Sequence, residues 1–122
     1  MTEREDMNTA EEKGQVIIAD EVITIIAGIA AMEIEGVDSM YGGWSGELFS
    51  MMGVRDLSKG VKTVIEDDEI RVRLSLNVKY GYSIPKVTKS VQERVITSIE
   101  SMTGMTVREV NVDIVGVSAA KD

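Results

Sequence analysis

The chain has 122 residues, 43% of them hydrophobic, which is apolar material for one compact domain with a single core. Its formal net charge of -8 and pI near 4.6 count against nucleic acid or an anionic membrane surface as partner, because both select for concentrated Lys and Arg. With no Cys and no His, disulfides, thiol nucleophiles, imidazole bases and thiolate or imidazole metal sites are excluded.

Residues 1–13 carry Glu3, Glu5, Asp6, Glu11 and Glu12 and lack the basic start and apolar run of a signal peptide. So little apolar surface cannot offset the entropy of ordering, so a disordered acidic tail is expected there. One α+β domain is expected over residues 14–117, followed by a short tail at 118–122. The most apolar window, residues 16–32, is broken by Asp20 and Glu21 and falls short of the roughly 20 residues that span a bilayer. The reading is therefore a soluble protein with no direct membrane insertion, and cytoplasm is taken as its compartment, which the absence of cysteine permits.

The β-branched run Gln15-Val16-Ile17-Ile18-Ala19 reads as a strand that feeds a helix from Glu21 to about Glu35, with Asp20 as N-cap and Gly36 as the stop. Val22, Ile23, Ile25, Ile26, Ile29, Met32 and Ile34 spread around more than one face of that helix. Such a helix is either buried on two sides or covers a partner. Ile26 is placed on the spare face, and Ala27, Gly28, Ala30 and Ala31 would let another backbone approach. Residues 37–41 read as a short strand.

Periodicity is lost from Gly42 to Gly60, and a loop of that length in an ordered domain usually has a use. Within it, Trp44, Leu48, Phe49, Met51 and Met52 are the candidate partner-binding residues, with Trp44 and Phe49 as aromatic anchors. Gly43-Trp44-Ser45-Gly46 also matches the GXXG spacing that clamps a nucleic-acid backbone, but no basic residue follows before Arg55, and a flexible turn is the better reading.

Residues 62–66 and 69–73 flank Asp67-Asp68 as a hairpin in which Ile65 faces Ile70, Thr63 faces Val72 and Val61 faces Leu74. The four acids at positions 66 to 69 read as a solvated tip, since adjacent side chains of a tight turn splay apart and cannot converge on a cation. Ile70, Val72, Leu74, Leu76 and Val78 then alternate with polar residues in a half-buried strand that ends at Tyr80-Gly81-Tyr82-Ser83-Ile84-Pro85. Ser83 is the expected N-cap and Pro85 suits the first turn of a helix reaching about Thr103, with Gly104 as its stop. Its apolar stripe is Ile84, Val87, Val91, Val95, Ile99 and Met102, with Tyr80 and Ile84 packing at the joint. Val110, Val112 and Ile114 alternate in a last strand, and Val117 ends the pattern.

Strand, helix and strand make a crossover that favours parallel pairing, and residues 15–41 read as a second, shorter unit of that kind. The expected architecture is a two-layer α+β domain, a mixed sheet of four to five strands with two long helices packed on one face. Ser39, Ser45 and Ser50 have no imidazole or suitably spaced Lys to activate them, so no catalytic residue, metal site or cofactor is assigned.

Five blocks, Gly14 through Ile23, Glu33 through Val37, Lys59 through Lys62, Tyr80 through Pro85, and Met102 through Val112, resemble in order the alkaline shock, or general stress, envelope-homeostasis proteins of Gram-positive bacteria. The resemblance covers residues 14–117. It implies a non-enzymatic protein of the envelope stress response that forms homo-oligomers and higher assemblies and is held near the membrane by a membrane-anchored protein partner. An alternative it leaves open is a regulatory or small-ligand-binding subunit acting on lipid or envelope synthesis. The chain departs from the commoner pattern at Gly43-Trp44-Ser45-Gly46 and at Met51-Met52-Gly53, where a leucine pair before the glycine is more familiar.

Overall fold

The computed structural model of the chain describes residues 14, 16–42 and 59–119. In order these form helix α1 (Asp20–Met32), strands β1 (Val37–Met40), β2 (Val61–Glu66) and β3 (Glu69–Lys79), helix α2 (Ile84–Thr103) and strand β4 (Thr106–Ser118).

The sheet is built on β3. β4 runs parallel along one whole edge, from Glu69 opposite Thr106 to Lys79 opposite Ser118. The other edge is shared end to end, with β2 antiparallel to residues 69–74 and β1 antiparallel to residues 76–78. At their junction the Tyr41 N–H donates to Ser75 O at 2.9 Å, and the Ser75 N–H donates to Gly60 O at 2.8 Å. β1 and β2 are therefore two halves of one edge line, interrupted between Gly42 and Lys59. The join is tight at Gly60, where a Cβ would lie 2.9 Å from Tyr41 O and 3.2 Å from Ser75 O.

Alternation decides the layers. Ile70, Val72, Leu74, Leu76 and Val78 are buried beneath both helices, together with Val87, Val91, Val95 and Ile99 of α2 and Ile23, Ile26, Ala27, Ala30 and Ala31 of α1. The opposite face carries Arg71, Arg73 and Asn77 and is open. This is the expected two-layer α+β domain, with four strands in a mixed sheet among the described residues. The hairpin keeps its expected register, Ile65 opposite Ile70, Thr63 opposite Val72 and Val61 opposite Leu74. Asp67 and Asp68 have φ of 52° and 65°, so both turn residues are left-handed, as a two-residue hairpin requires.

α2 starts and stops where its sequence directs. The Ser83 side chain accepts from the Lys86 N–H, and Gly104 closes the helix at φ 76° with its N–H on Glu100 O. The ends of its apolar stripe differ from expectation: Ile84 is exposed, and Met102 is 70% exposed, because the terminal turns reach past the core that the middle of the helix covers. Tyr80, expected to pack, is also exposed.

Residues 16–36 depart most. Residues 16–19 form no strand, and Val16 and Ile17 project into solvent, so no strand-helix-strand unit precedes β2. A β-branched run becomes a strand only where a neighbouring edge accepts it. Asp20 is the first helical residue and not the cap; Ala19 occupies the cap without a side-chain bond, leaving Asp20 and Glu21 as acids in the first turn, favourable to the helix dipole. α1 ends at Met32, three residues before the expected Glu35, and Gly36 at φ 103° lies in the turn that follows. The small residues Ala27, Gly28, Ala30 and Ala31 are buried within the domain, so the close approach they permit is intramolecular. Thr24, buried among them, bonds Thr63 Oγ1 at 3.3 Å. No described helix is long and apolar enough to cross a membrane.

Replacing Asp67-Asp68 by Asn-Gly keeps the left-handed turn with residues that prefer it. The variant is expected to gain about 1 kcal/mol, a rise of about 3–6 °C in thermal midpoint. A lower midpoint would show that the two carboxylates make contacts at the tip that outweigh the backbone gain.

Candidate functional site

The turn after α1 and the joint before α2 meet in space. The Lys79 N–H donates to Gly36 O at 2.8 Å, which brings the end of β3 against the Glu33-Ile34-Glu35-Gly36 turn. The chain then bends at Gly81, with φ 97°, and lays the Tyr82 ring over Gly36. A Cβ on Gly36 would fall 2.9 Å from Tyr82 Cδ2 and 2.8 Å from Val87 Cγ2, so only glycine admits this packing. Two polar links close the contact: the Tyr82 hydroxyl donates to Glu35 Oε2 at 3.1 Å, and Arg94 Nη2 lies 2.7 Å from Glu33 Oε1. Both are solvent-exposed and contribute more to alignment than to stability.

These elements frame a surface cleft of about 350 Å³ whose floor is Ile34 and Val87 and whose rim carries Glu35, Tyr82, Ser83 and Lys86. The hydrogen bond to Glu35, and then its negative charge, raise the Tyr82 phenol above its ordinary pKa of 10.0. A second cleft, of about 250 Å³, lies on the open face beside the hairpin, where Arg71 faces Glu66 at 3.7 Å and Arg108 faces Glu69 at 3.5 Å. Two of the four tip acids are thus neutralised by neighbouring strands. Among the described residues, no group of three or more acidic side chains is placed to hold a metal ion.

Of the sequence-predicted partner residues, Trp44, Leu48, Phe49, Met51 and Met52 lie outside the described residues, as does the GXXG stretch. Ile26 is 8% exposed and belongs to the core. The outer apolar stripe of α1 is instead Val22, Ile25, Ile29 and Met32, of which Val22 and Ile29 are 44% and 37% exposed while Ile25 and Met32 are partly buried against the core. Their spacing of three, four and three residues fits one helix face, opposite Ile23, Ala27, Ala30 and Ala31, but in a helix apolar nearly all round that spacing does not single the face out. The Glu35–Tyr82 pairing had no local signal, because the two residues are 47 positions apart.

The fold is an α+β scaffold whose described clefts lie at its surface. It is similar to the MamM CTD in a copper form, at a TM-score of 0.50 and 11% identity, covering 84% of this chain and all of that one. That likeness is one of fold. The chain belongs to the alkaline shock protein 23 family, described as having a cell envelope-related function, whose pattern it matches over residues 8–119. It is 42% identical to the uncharacterized protein YqhY of Bacillus subtilis over 104 residues, 85% of this chain and 77% of the relative. It is 30% identical to YloU of the same organism over 106 residues, 85% and 88% of the two chains. Over 123 residues it is 27% identical to a stress response regulator gls24 homolog of Streptococcus pyogenes, 96% and 69% of the two chains. The resemblance to the alkaline shock and general stress proteins of Gram-positive bacteria therefore holds.

Two outcomes test this joint. Because the protonated phenol is favoured in the folded chain, its contribution is complete below the ordinary tyrosine pKa and is lost as pH rises through the elevated folded value. Ultraviolet titration should show a late-ionising tyrosine, and Glu35→Gln should remove the delay; a titration with no late component contradicts the pairing. Gly36→Ala should cost about 2–4 kcal/mol in urea unfolding through backbone strain and overpacking.

Proposed function

We propose that this protein is a non-enzymatic module of the envelope stress response that self-associates and is held near the cytoplasmic membrane by a membrane-anchored protein partner. The observation that carries this reading is the interrupted edge line of the sheet. The segment bearing Trp44, Leu48, Phe49, Met51 and Met52 leaves β1 at Gly42 and rejoins β2 at Gly60, with both ends tied to Ser75 of the central strand. Residues rooted in a rigid scaffold at both ends are well suited to binding, and aromatic and Met side chains are enriched at interface cores. The exposed stripe of α1 supports self-association, since contiguous apolar surface marks contact sites. Membership of a family described as envelope-related supports the setting.

A regulatory or ligand-binding role in lipid or envelope synthesis is favoured only by the cleft at Tyr82. A thermal-shift series with acyl compounds separates the two, because a ligand of the folded state raises the midpoint with concentration.

Flotation of the purified chain with vesicles gives the direct test. Binding is expected to membrane vesicles from cells, to vanish after protease treatment of those vesicles, and to be absent with protein-free anionic phospholipid vesicles. Trp44→Ala with Phe49→Ala should weaken it by at least about 30-fold, the loss of an aromatic hot spot. Equal binding to protein-free lipid, or binding insensitive to protease, would overturn the protein-partner reading. Ile29→Glu should lower the average mass seen by light scattering.

A further inference from the structure

β4 is the longest of the described strands, with 13 residues, and no described residue pairs with its outer edge. A long free edge invites pairing unless it is blunted. Here α2 blunts only the start: Glu100 accepts the Val107 N–H at 3.0 Å, and Gln92 Nε2 donates to Val110 O at 3.1 Å. Beyond Val110 no described side chain bonds a backbone group of this strand. The edge formed by β1 and β2 is interrupted, so β4 offers the continuous one.

The pattern along β4 is self-complementary. Aligned with Ile70, Val72, Leu74, Leu76 and Val78, the residues on its helix-side face are Val107, Val110, Val112, Ile114 and Val117. Counted from Val112 they stand at offsets of five, two, zero, two and five. The two register shifts fall between Val107 and Glu109 and between Ile114 and Gly116, one on each flank, and leave an unbroken ladder from Glu109 to Ile114. A second copy running antiparallel about Val112 would set Val110 against Ile114 and bring the Val107 side chain beside that of Val117, apolar on apolar, while the Val107 N–H, already given to Glu100, adds no bond to the ladder there. On the open face it would set Asp113 against Asn111 and Glu109 near Val115, with no like charges opposed. Asp113 and Glu109 are already held by Arg73 at 3.0 Å and Arg71 at 3.9 Å within one chain. A carbonyl oxygen has two lone pairs, so the bond from Gln92 leaves Val110 able to accept another.

Exposure follows the same half of the strand. Val112 and Ile114 are only half-buried, and Val115 and Val117 are 50% and 52% exposed, whereas every inward residue of the neighbouring β3 is closed to solvent. We propose that β4 is a two-fold pairing edge for a second copy of this chain, centred on Val112, joining two sheets into one with both helix layers on the same side. This deepens the self-association reading above and assigns it a surface apart from the α1 stripe.

The native chain has no cysteine, so single-cysteine variants report position cleanly. Under mild oxidation Val112→Cys is expected to form a disulfide-linked dimer, because residues facing each other across the two-fold have the short separation a disulfide needs. Val64→Cys, on the far edge, should not. Val117→Lys places a charge at an already exposed position and should leave the thermal midpoint within a few degrees while lowering the average mass in light scattering by about half, with the effect persisting in the Ile29→Glu background. If the native chain is oligomeric yet Val112→Cys does not cross-link and Val117→Lys leaves the mass unchanged, the β4 edge is wrong and self-association stands. If the native chain is monomeric over the whole concentration range, both readings fall. Should Val112→Cys fail to fold, Val117→Lys alone decides.

Discussion

The ladder between β3 and β4, closed from above by α2, is the constraint that the other elements satisfy. β3 carries an apolar side chain at every second position from Ile70 to Val78, and a one-residue slip of either neighbour would turn its apolar set into water. Each of those side chains stabilises the fold by about 1.5–3 kcal/mol relative to exposure. The parallel pairing needs a crossover, and α2 provides it on the face that β3 already makes apolar. β4 then keeps register over 13 residues by absorbing two extra residues as irregularities instead of slipping. On the open face Asn77 ties three strands at one level: its Nδ2 donates to Ser39 Oγ at 3.1 Å, and its Oδ1 occupies space that a Cβ on Gly116 would invade, at 2.5 Å.

With one edge of β3 committed to β4, the chain arriving from α1 can enter only along the other edge. It does so antiparallel, directly after a tight turn, and that turn must fit under the joint that starts α2. Gly36 is where these requirements meet. Its carbonyl takes the Lys79 N–H, its missing Cβ makes room for Tyr82 and Val87, and its positive φ turns the chain into β1. The joint at Tyr80 to Pro85 is therefore more than a strand end with a helix cap. It locks α1, β1, β3 and α2 together through residues from two distant blocks, which gives the Glu33–Gly36 and Tyr80–Pro85 segments a shared structural reason to occur together.

What the sequence made legible was local. The hairpin register follows from alternation and a two-residue turn, and α2 announces itself through Ser83, Pro85 and Gly104, because those signals act within a few residues. Three features were not legible for one reason: they depend on contacts between segments distant in sequence. Val16 to Ala19 has strand composition but pairs with no described strand. The collinearity of β1 and β2 appears only once β3 has accepted both. The burial of Ile26 and exposure of Val22 and Ile29 depend on which side of α1 meets the sheet, and the helix is apolar nearly all round, so its own pattern scarcely marks that side. The candidate loop residues from Trp44 to Met52 were read from composition, and what the fold adds is where their segment is rooted.

The surface left over is unevenly distributed, and this decides where contacts can form. The open sheet face is laced with opposite charges, Arg71 with Glu66 and Glu109, Arg73 with Asp113, Arg108 with Glu69, so its side chains are already mutually satisfied. Covering that face would desolvate paired charges with little return. Among the described residues, exposed apolar side chains occur at the joint, as Tyr80, Tyr82 and Ile84, and in two further regions, the stripe of α1, on the side of β1 and β2, and the carboxyl-terminal half of β4. α1 packs against β1 and β2 while α2 packs against β4, so the two apolar regions lie towards opposite sides of the domain. A domain with charges paired on one broad face and apolar side chains exposed at two separated margins is the arrangement on which the proposed edge-to-edge and helix-to-helix contacts rest.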